Sequence, residues 1–346
     1  MLMLIAALQE KGRLKESIEA YYQAIHLQPD HAESHVNLGI IFLLKGNFLQ
    51  GWKEYEWRWK CNDPQTDRRH FVQPAWNGSS LNGKTIFLYA EQGFGDTIQF
   101  IRYVNMLAVY EVDIIVECQP ELLKLFENID AITELIVSRE SQPDFDVHAS
   151  LLSLPGILGT GIESIPSEVP YLFPKSSPFV CLSSNSKLKV GIVWAGNLKH
   201  PNDSNRSIDL HQFSVLFDIG DCEFYSLQIG AERDDIIAYN YSGTIIDLGI
   251  NFTDFFDTAT AILELDLVIS VDTAVAHLTG ALGKQVWTLL PYMSDWRWML
   301  DREDTPWYPS MRLFRQSETR DWSGVFDQVR LALEQYMEHN TTEGKP

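Results

Sequence analysis

An acidic turn that leads from an apolar run into a run of small residues is the segment of this sequence best suited to chemistry. Residues 267–271 are mostly apolar and β-branched, Asp272 and Thr273 follow, and the stretch from Ala274 to His277 has the composition of a helix. A strand that turns at once into a helix presents free backbone N–H groups, and the helix dipole favours negative charge there. The segment predicts an anion site. In the alternative interpretation Asp272 and Thr273 only cap the helix.

A second turn of similar design lies far upstream, where Gly93-Phe-Gly95-Asp96 follows one predicted strand and opens a predicted helix. The glycines allow a tight turn that would present Asp96 as a general base. A dinucleotide fingerprint is one alternative, with Glu117 as the acid that binds the ribose. That pattern fails at its third glycine, where Ile98 stands. A helix-capping role for Asp96 is the other alternative.

Small residues also follow the predicted strand that ends at Trp194. Gly196 and Asn197 would let a phosphate approach the backbone amides, and Arg206 lies in the next loop. A fixed guanidinium can stabilise the charge that develops on a diphosphate leaving group. An ordinary surface arginine is the alternative.

Two further groups are candidates for ligand contact. Asp295, Trp296 and Arg297 lie beyond the predicted strand 286–290, where aromatic and guanidinium groups suit stacking on a sugar or a base. Packing beneath a loop explains them equally well. His277 lies one helical turn after Thr273 and can face the same anion site, although a lone histidine is more often structural.

The elements that must position these residues alternate between strand and helix in two stretches, which predicts two doubly wound α/β domains with parallel sheets. Ligands of such sheets bind outside the carboxyl ends of the strands, and two such domains facing each other would form a cleft there. A helix is predicted over 322–336, and strand 286–290 is expected to complete the second sheet. The strands are predicted at 84–90, 112–117, 132–137, 145–147, 189–194, 223–228, 244–247, 267–271 and 286–290.

The first sixty residues contain a repeat with a period of 34, in which Gly12 recurs as Gly46 and Tyr21 as Tyr55. This segment resembles the tetratricopeptide repeat, in which small residues lie where two helices cross. Two repeats are few for an independent solenoid, so we expect them to pack against the next domain.

Composition excludes several classes of protein. With 47 acidic and 27 basic residues, the chain has a net charge of −20 and no basic stripe, so a nucleic-acid partner is not expected. No apolar run is long enough to span a membrane, and no signal peptide is expected. The cysteines are widely spaced, which favours reduced thiols, a cytoplasmic location and no metal site.

Gly95-Asp96, Trp194-Ala-Gly-Asn197 with Arg206, and Ser270-Val-Asp-Thr-Ala-Val-Ala-His277 together resemble GT-B glycosyltransferases of family 9, the heptosyltransferase-like group, over about residues 84–335. The combination of repeats with a GT-B body is similar to the architecture of O-linked N-acetylglucosamine transferases, which implies a protein acceptor as one alternative. The resemblance implies that Asp96 is the catalytic base. It implies donor contacts at Gly95, Gly196, Asn197, Arg206, Gln228, Asp272, Thr273, Ala274 and His277.

The resemblance also gives the domain plan. We predict tetratricopeptide repeats at 1–62, a linker at 63–82, a Rossmann-like acceptor domain at 83–175, a Rossmann-like nucleotide-sugar-binding domain at 187–318, and a C-terminal helix and tail at 319–346. A hinge is expected near 166–186.

The predicted function is that of an inverting, metal-independent glycosyltransferase. It would move a sugar from a nucleotide-diphosphate donor to a hydroxyl of a glycan, lipid or protein acceptor, with no cofactor, and the repeats would allow protein contact. The alternative is a repeat-containing scaffold whose GT-B body binds a nucleotide or sugar without catalysis. A dehydrogenase is the third hypothesis, tested by binding of a nicotinamide cofactor.

Overall fold

The computed structural model describes residues 12–61, 69, 71–137, 143–175, 182 and 185–342. The chain forms two compact units. Unit 1 runs to Ser167 and includes Asp295–Trp307, and unit 2 comprises Glu168–Ser294 and the chain from Tyr308 onward. The first residues of the predicted repeats, the start of the predicted linker and part of the predicted hinge (176–181 and 183–184) lie outside the described residues.

The repeat segment of unit 1 is helical, as predicted. Its elements are α1 (Leu14–Leu27), α2 (Ala32–Leu44), α3 (Phe48–Tyr55) and a 3₁₀ turn (Glu56–Lys60). The close crossing of α2 and α3 depends on two glycines. A Cβ on Gly39 would lie 2.7 Å from the backbone nitrogen of Tyr55, and one on Gly51 would lie 2.6 Å from Leu43. Only glycine lets the helices approach this closely.

The repeats are packed against the rest of unit 1. Trp52 donates from Nε1 to the carbonyl oxygen of Thr160 at 2.9 Å. A Cβ on Gly156 would lie 3.2 Å from the Cβ of Trp52, so Trp52 of α3 packs directly on the backbone at Gly156. The expectation that the repeats pack on the next domain is confirmed.

Unit 1 contains a four-stranded parallel sheet in the order β3-β2-β1-β4. Its strands are β1 (Lys84–Tyr89), β2 (Val112–Cys118), β3 (Glu134–Val137) and β4 (Val147–Ser150). Its helices are α4 (Phe94–Phe100), α5 (Val104–Leu107), α6 (Leu123–Phe126) and α7 (Leu154–Ile157). The chain leaves β1 toward β2 on one side and returns on the other side to form β4, so the connections change direction between β1 and β4.

Part of the predicted linker belongs to this sheet. Ala75 pairs with His148 of β4 in parallel orientation, and the Trp76 amide donates to the carbonyl oxygen of His148 at 2.8 Å. Phe71 packs on the sheet edge-on to Phe87, with ring centroids 5.6 Å apart. Phe71, Trp76 and Leu81 therefore pack against unit 1, while most of the other residues of 71–82 are exposed.

Unit 2 contains a six-stranded parallel sheet in the order β10-β9-β8-β5-β6-β7. Its strands are β5 (Leu188–Val193), β6 (Cys222–Ser226), β7 (Ile245–Asp247), β8 (Leu267–Val271), β9 (Val286–Leu290) and β10 (Met311–Arg315). The expectation that residues 286–290 complete the sheet is wrong, since β10 pairs with β9. Arg312 and Arg315 break the apolar run of β10 and obscured it in the sequence.

In the sequence, helices alternate with the strands of the second sheet. They are α8 (Asp203–Arg206), α9 (Ser214–Phe217), α10 (Asp235–Ala238), α11 (Phe255–Leu263), α12 (Ala274–Ala281) and α13 (Ser323–Thr342). The predicted final helix is α13, whose Phe326 packs in the core with its ring centroid 4.8 Å from that of Phe213. Among the helices of the described residues, none is long and apolar enough to cross a membrane.

Candidate functional site

The second sheet places two turns side by side at the point where its topology reverses. From β5 the chain builds β6 and β7 on one side, and it then returns to build β8, β9 and β10 on the other. Strands β5 and β8 are hydrogen-bonded neighbours, so the turns that follow them lie at the same edge. Open α/β sheets bind ligands outside this edge, because the diverging connections leave a crevice there.

The turn after β5 is held by side chains from the neighbouring elements. Oε1 of Gln228 accepts from the amides of Trp194 and Ala195, at 3.2 and 3.0 Å. The Gly196 amide donates to Oγ of Ser207 at 2.9 Å. Gln228 is buried, and its Nε2 donates to the carbonyl oxygen of Ile229, so its amide group is engaged in shaping this turn.

Arg206 connects the two turns. Its guanidinium lies against the backbone of Gly196, where an added Cβ would be only 2.6 Å from Nη2. Nη1 donates to the carbonyl oxygen of Asp272 at 3.1 Å, and Nε donates to Asp203 at 3.3 Å. A guanidinium fixed in this way, and still partly open to solvent, suits an anion better than a mobile surface arginine does.

The turn after β8 begins α12 without a side-chain cap. Thr273 is the N-cap residue, but its side chain accepts no hydrogen bond from the first turn of the helix. Its hydroxyl instead lies 3.1 Å from Oγ of Ser270. Asp272, Thr273 and Ala274 are all half-buried. The N-terminal end of α12 therefore keeps its positive dipole beside Arg206, as the anion-site interpretation expects.

His277 lies one turn further along α12 and is buried. Its Nδ1 is 3.0 Å from the hydroxyl of Tyr308. The Tyr308 ring packs on Gly280, where an added Cβ would lie 2.5 Å from the ring. Gly280 thus makes room for the tyrosine that orients the histidine.

The predicted base, Asp96, lies in the first turn of α4 in unit 1. The Gly93 amide donates to its Oδ2 at 2.9 Å, and Nη2 of Arg297 donates to its Oδ1. Its side chain is 18% exposed, so it remains within reach of a ligand. A carboxylate oxygen accepts more than one hydrogen bond, so both oxygens keep acceptor capacity.

Burial raises the pKa of Asp96, while the Arg297 guanidinium and the Gly93 amide act in the opposite direction. A carboxylate whose pKa is raised is a stronger base than a free aspartate once it is ionised. This environment fits the predicted role, because a general base must both ionise and accept a proton.

The predicted sugar or acceptor contacts around Arg297 lie against Asp96. Arg297 donates from Nε to Gln99 at 2.6 Å and from Nη1 to Asp295 at 2.8 Å. Its guanidinium lies 4.3 Å from the centroid of the Trp296 ring. Trp296 and Arg297 are both buried, and Asp295 is half-buried. The structure thus brings these three residues together around the candidate base.

At the corresponding edge of the first sheet, two acidic side chains are already paired with arginines of this chain. Glu91, two residues after β1, is paired with Arg58 at 2.7 Å. Glu117, the candidate acid for a ribose, is buried and accepts from Arg69 at 2.7 Å. These contacts argue against a dinucleotide at the Gly93 turn, because the groups that would receive it are already paired.

Two predicted donor residues make few specific contacts. Asn197 is exposed and accepts from the Lys199 amide at 3.0 Å, and Gly95 is half-buried in α4.

Sequence reasoning did not single out Tyr308, Ser207 or Arg58, which have no local motif and become significant only through contacts with distant residues. In the part of the chain that is described, no group of three or more His, Cys, Asp or Glu side chains is arranged to hold a metal ion.

The comparisons with known proteins agree with this architecture. A TPR repeat family model matches residues 7–46. Protein FlbA of Caulobacter vibrioides is 25% identical over 331 residues, covering 86% of this chain and 54% of that protein. The chain thus spans about half the length of this curated relative.

This chain also resembles proteins of known structure. A glycosyl transferase family 9 protein from Veillonella parvula DSM 2008 superposes with a TM-score of 0.51 at 12% identity, covering 70% of this chain and 88% of that one. The E. coli ADP-heptose lps heptosyltransferase II gives a TM-score of 0.48 at 13% identity, over 72% and 99% of the two chains. The predicted fold is confirmed: this chain has the α/β fold of a family 9 glycosyltransferase, joined to a tetratricopeptide-repeat segment.

Proposed function

We propose that this protein is an inverting glycosyltransferase that takes its sugar from a nucleotide-diphosphate donor. The observation that carries the proposal is the position of Arg206, fixed on Gly196 and bonded to the carbonyl oxygen of Asp272 at 3.1 Å. It places a cation and an uncapped helix N-terminus at the topological switch point of the second sheet. Diphosphates are bound by this combination of groups.

In this proposal unit 2 binds the donor. The diphosphate lies beside the Gly196 turn and contacts Arg206 and the first turn of α12, so positive charge for the leaving group comes from the guanidinium and from the backbone amides of α12. A bound metal ion is not required for this charge compensation. Asn197, Gln228 and His277 remain predicted donor contacts, with Gln228 and His277 acting from buried positions.

Unit 1 supplies the base. An acceptor hydroxyl transfers its proton to Asp96 as its oxygen attacks the anomeric carbon, and the bond from that carbon to the diphosphate oxygen breaks. The electron pair of that bond leaves with the nucleoside diphosphate. Displacement from the opposite face inverts the anomeric centre. The acceptor is a hydroxyl of a glycan, lipid or protein, and the repeats offer a surface for a protein partner.

Multiple turnover separates this proposal from a binding protein. The purified chain is supplied with a panel of nucleotide sugars and a mixture of hydroxyl acceptors, and release of nucleoside diphosphate is followed. Asp96→Asn keeps the shape of the side chain but removes its basicity, so turnover should fall about 100-fold or more while donor binding is retained. Near-full turnover of Asp96→Asn would show that the base is another residue.

One contact set favours the second candidate, a scaffold that binds without catalysis. Both oxygens of Asp96 already accept hydrogen bonds, from Gly93 and from Arg297. In a pure binding protein these bonds would be the whole function of the aspartate. Asp96→Asn would then leave ligand binding unchanged, and the wild-type protein would release no nucleoside diphosphate with any donor.

A further inference from the structure

The turn that leads from β1 to Asp96 is held by the end of the repeat segment. The side chain of Glu91 is fully buried and accepts from Nε and Nη2 of Arg58, at 2.7 and 3.0 Å. It also accepts from Oγ of Ser150, at the end of β4. A buried carboxylate is costly unless it is fully paired. Arg58 therefore fixes the point at which the chain leaves the sheet.

The next residue, Gln92, adopts a left-handed backbone conformation with φ of 64°. This conformation is unfavourable for a residue with a Cβ, so surrounding contacts must hold it. Nε2 of Gln92 donates to the hydroxyl oxygen of Tyr55 at 3.1 Å, and Nε2 of Gln119 donates to the Gln92 carbonyl at 3.4 Å. The following amide is that of Gly93, which donates to Asp96.

Tyr55 and Arg58 belong to one continuous helical segment. Tyr55 ends α3, Arg58 lies in the 3₁₀ turn that follows, and the guanidinium is 5.0 Å from the centroid of the tyrosine ring. Both side chains are buried. Two residues of the repeat segment thus hold two consecutive residues of the turn, Glu91 and Gln92.

We propose that Tyr55 and Arg58 are positioning residues for Asp96, so that the repeat segment is a working part of the catalytic unit. They contact neither substrate nor reacting atoms in this account. They act by fixing the backbone whose amide orients the carboxylate. The inference rests on the proposed function, because it assigns the rate of that reaction to residues of the repeats.

The test is a double-mutant cycle on the Tyr55–Gln92 contact. Tyr55→Phe removes one oxygen atom and keeps the ring, while Gln92→Asn shortens the amide arm and tolerates a positive φ. Each variant should lower kcat about tenfold, from the loss of one hydrogen bond, with KM for the donor and binding of nucleoside diphosphate unchanged. The double variant should be no slower than either single variant, because both remove the same contact.

Tyr22→Phe is the matched control, because Tyr22 is on the same repeat segment but exposed. Losses of kcat that add in the double variant, an unchanged kcat for Tyr55→Phe, or an equal loss in Tyr22→Phe would each overturn the inference.

Hydrogen exchange of the peptide 90–97 tests whether Tyr55 holds the turn without measuring turnover, so its result does not depend on the proposed function. Tyr55→Phe should speed exchange in this peptide and leave the peptides of unit 2 unchanged. If the wild-type protein shows no turnover, the proposed function fails, and exchange still decides whether Tyr55 holds the turn. Unchanged exchange in 90–97 would overturn the inference whatever the turnover.

Discussion

Gly196→Ala tests the donor site with the smallest change that the structure allows. The added Cβ would lie 2.6, 2.8 and 2.9 Å from three atoms of the Arg206 guanidinium. Ordinary contact begins at about 3.4 Å, so the guanidinium must withdraw by about 0.8 Å. That movement would lengthen its 3.1 Å bond to the Asp272 carbonyl beyond hydrogen-bond reach. The backbone of unit 2 has no reason to change, because the displaced group is the end of a flexible side chain.

The expected effect is on affinity. A hydrogen bond to a charged group contributes about 1.5–3 kcal/mol, so misplacing the guanidinium should weaken nucleoside diphosphate binding about 10- to 100-fold. Isothermal titration measures the dissociation constant, and thermal unfolding without ligand checks that the fold is intact. Gly220→Ala is the matched control in the same unit, since a Cβ there would meet nothing within 4 Å. Wild-type affinity in Gly196→Ala would refute the placement of the diphosphate beside Arg206.

Two further predictions concern Asp96 and α12. Burial raises the pKa of Asp96 and Arg297 opposes that rise, so Arg297→Gln should raise this pKa further and move the acidic limb of the kcat–pH profile to higher pH; an unmoved limb would remove Arg297 from this role. Gly280→Ala would bring a Cβ to 2.5 Å from the buried Tyr308 ring and should destabilise unit 2 by about 1–3 kcal/mol, measured by urea unfolding. Wild-type stability would show that the ring can move.

The strands could be predicted from the sequence because their apolar residues form short, continuous runs bounded by turns. Residues 267–271 and 286–290 coincide with β8 and β9 as the structure has them. The same reasoning missed β10, where Arg312 is exposed and interrupts the apolar pattern. Two arginines in a strand of five residues weaken the signal.

Helix boundaries were less predictable. The helix that the Gly93–Asp96 turn is predicted to open begins at Phe94, and it changes to a 3₁₀ turn at Ile101–Tyr103. The helix begins at Phe94 because the Gly93 amide donates to the side chain of Asp96 in the first turn, and this hydrogen bond caps the helix. A carboxylate three residues beyond a glycine is a weak pattern, since it also fits a base or a simple surface residue.

The residues of the candidate site also differ in whether a local sequence pattern predicts them. Arg206 and the Asp272 turn lie in segments whose local pattern predicts an anion site. The pairing of Arg297 with Asp96 joins residues 201 positions apart, so no local pattern contains it. The pairing of Arg58 with Glu91 could not be predicted from a local pattern either. The repeat period predicts the helices, but it does not predict which residues outside the repeats their ends contact.

Hydrogen exchange with and without saturating nucleoside diphosphate tests the central claim most directly, because it reports on backbone amides that a phosphate would bind. The account predicts slower exchange in the peptide that contains residues 272–276, at the start of α12, and no change in residues 90–97 beside β1. Protection confined to 90–97 would contradict it, because the nucleotide would then bind at the turn of the first sheet.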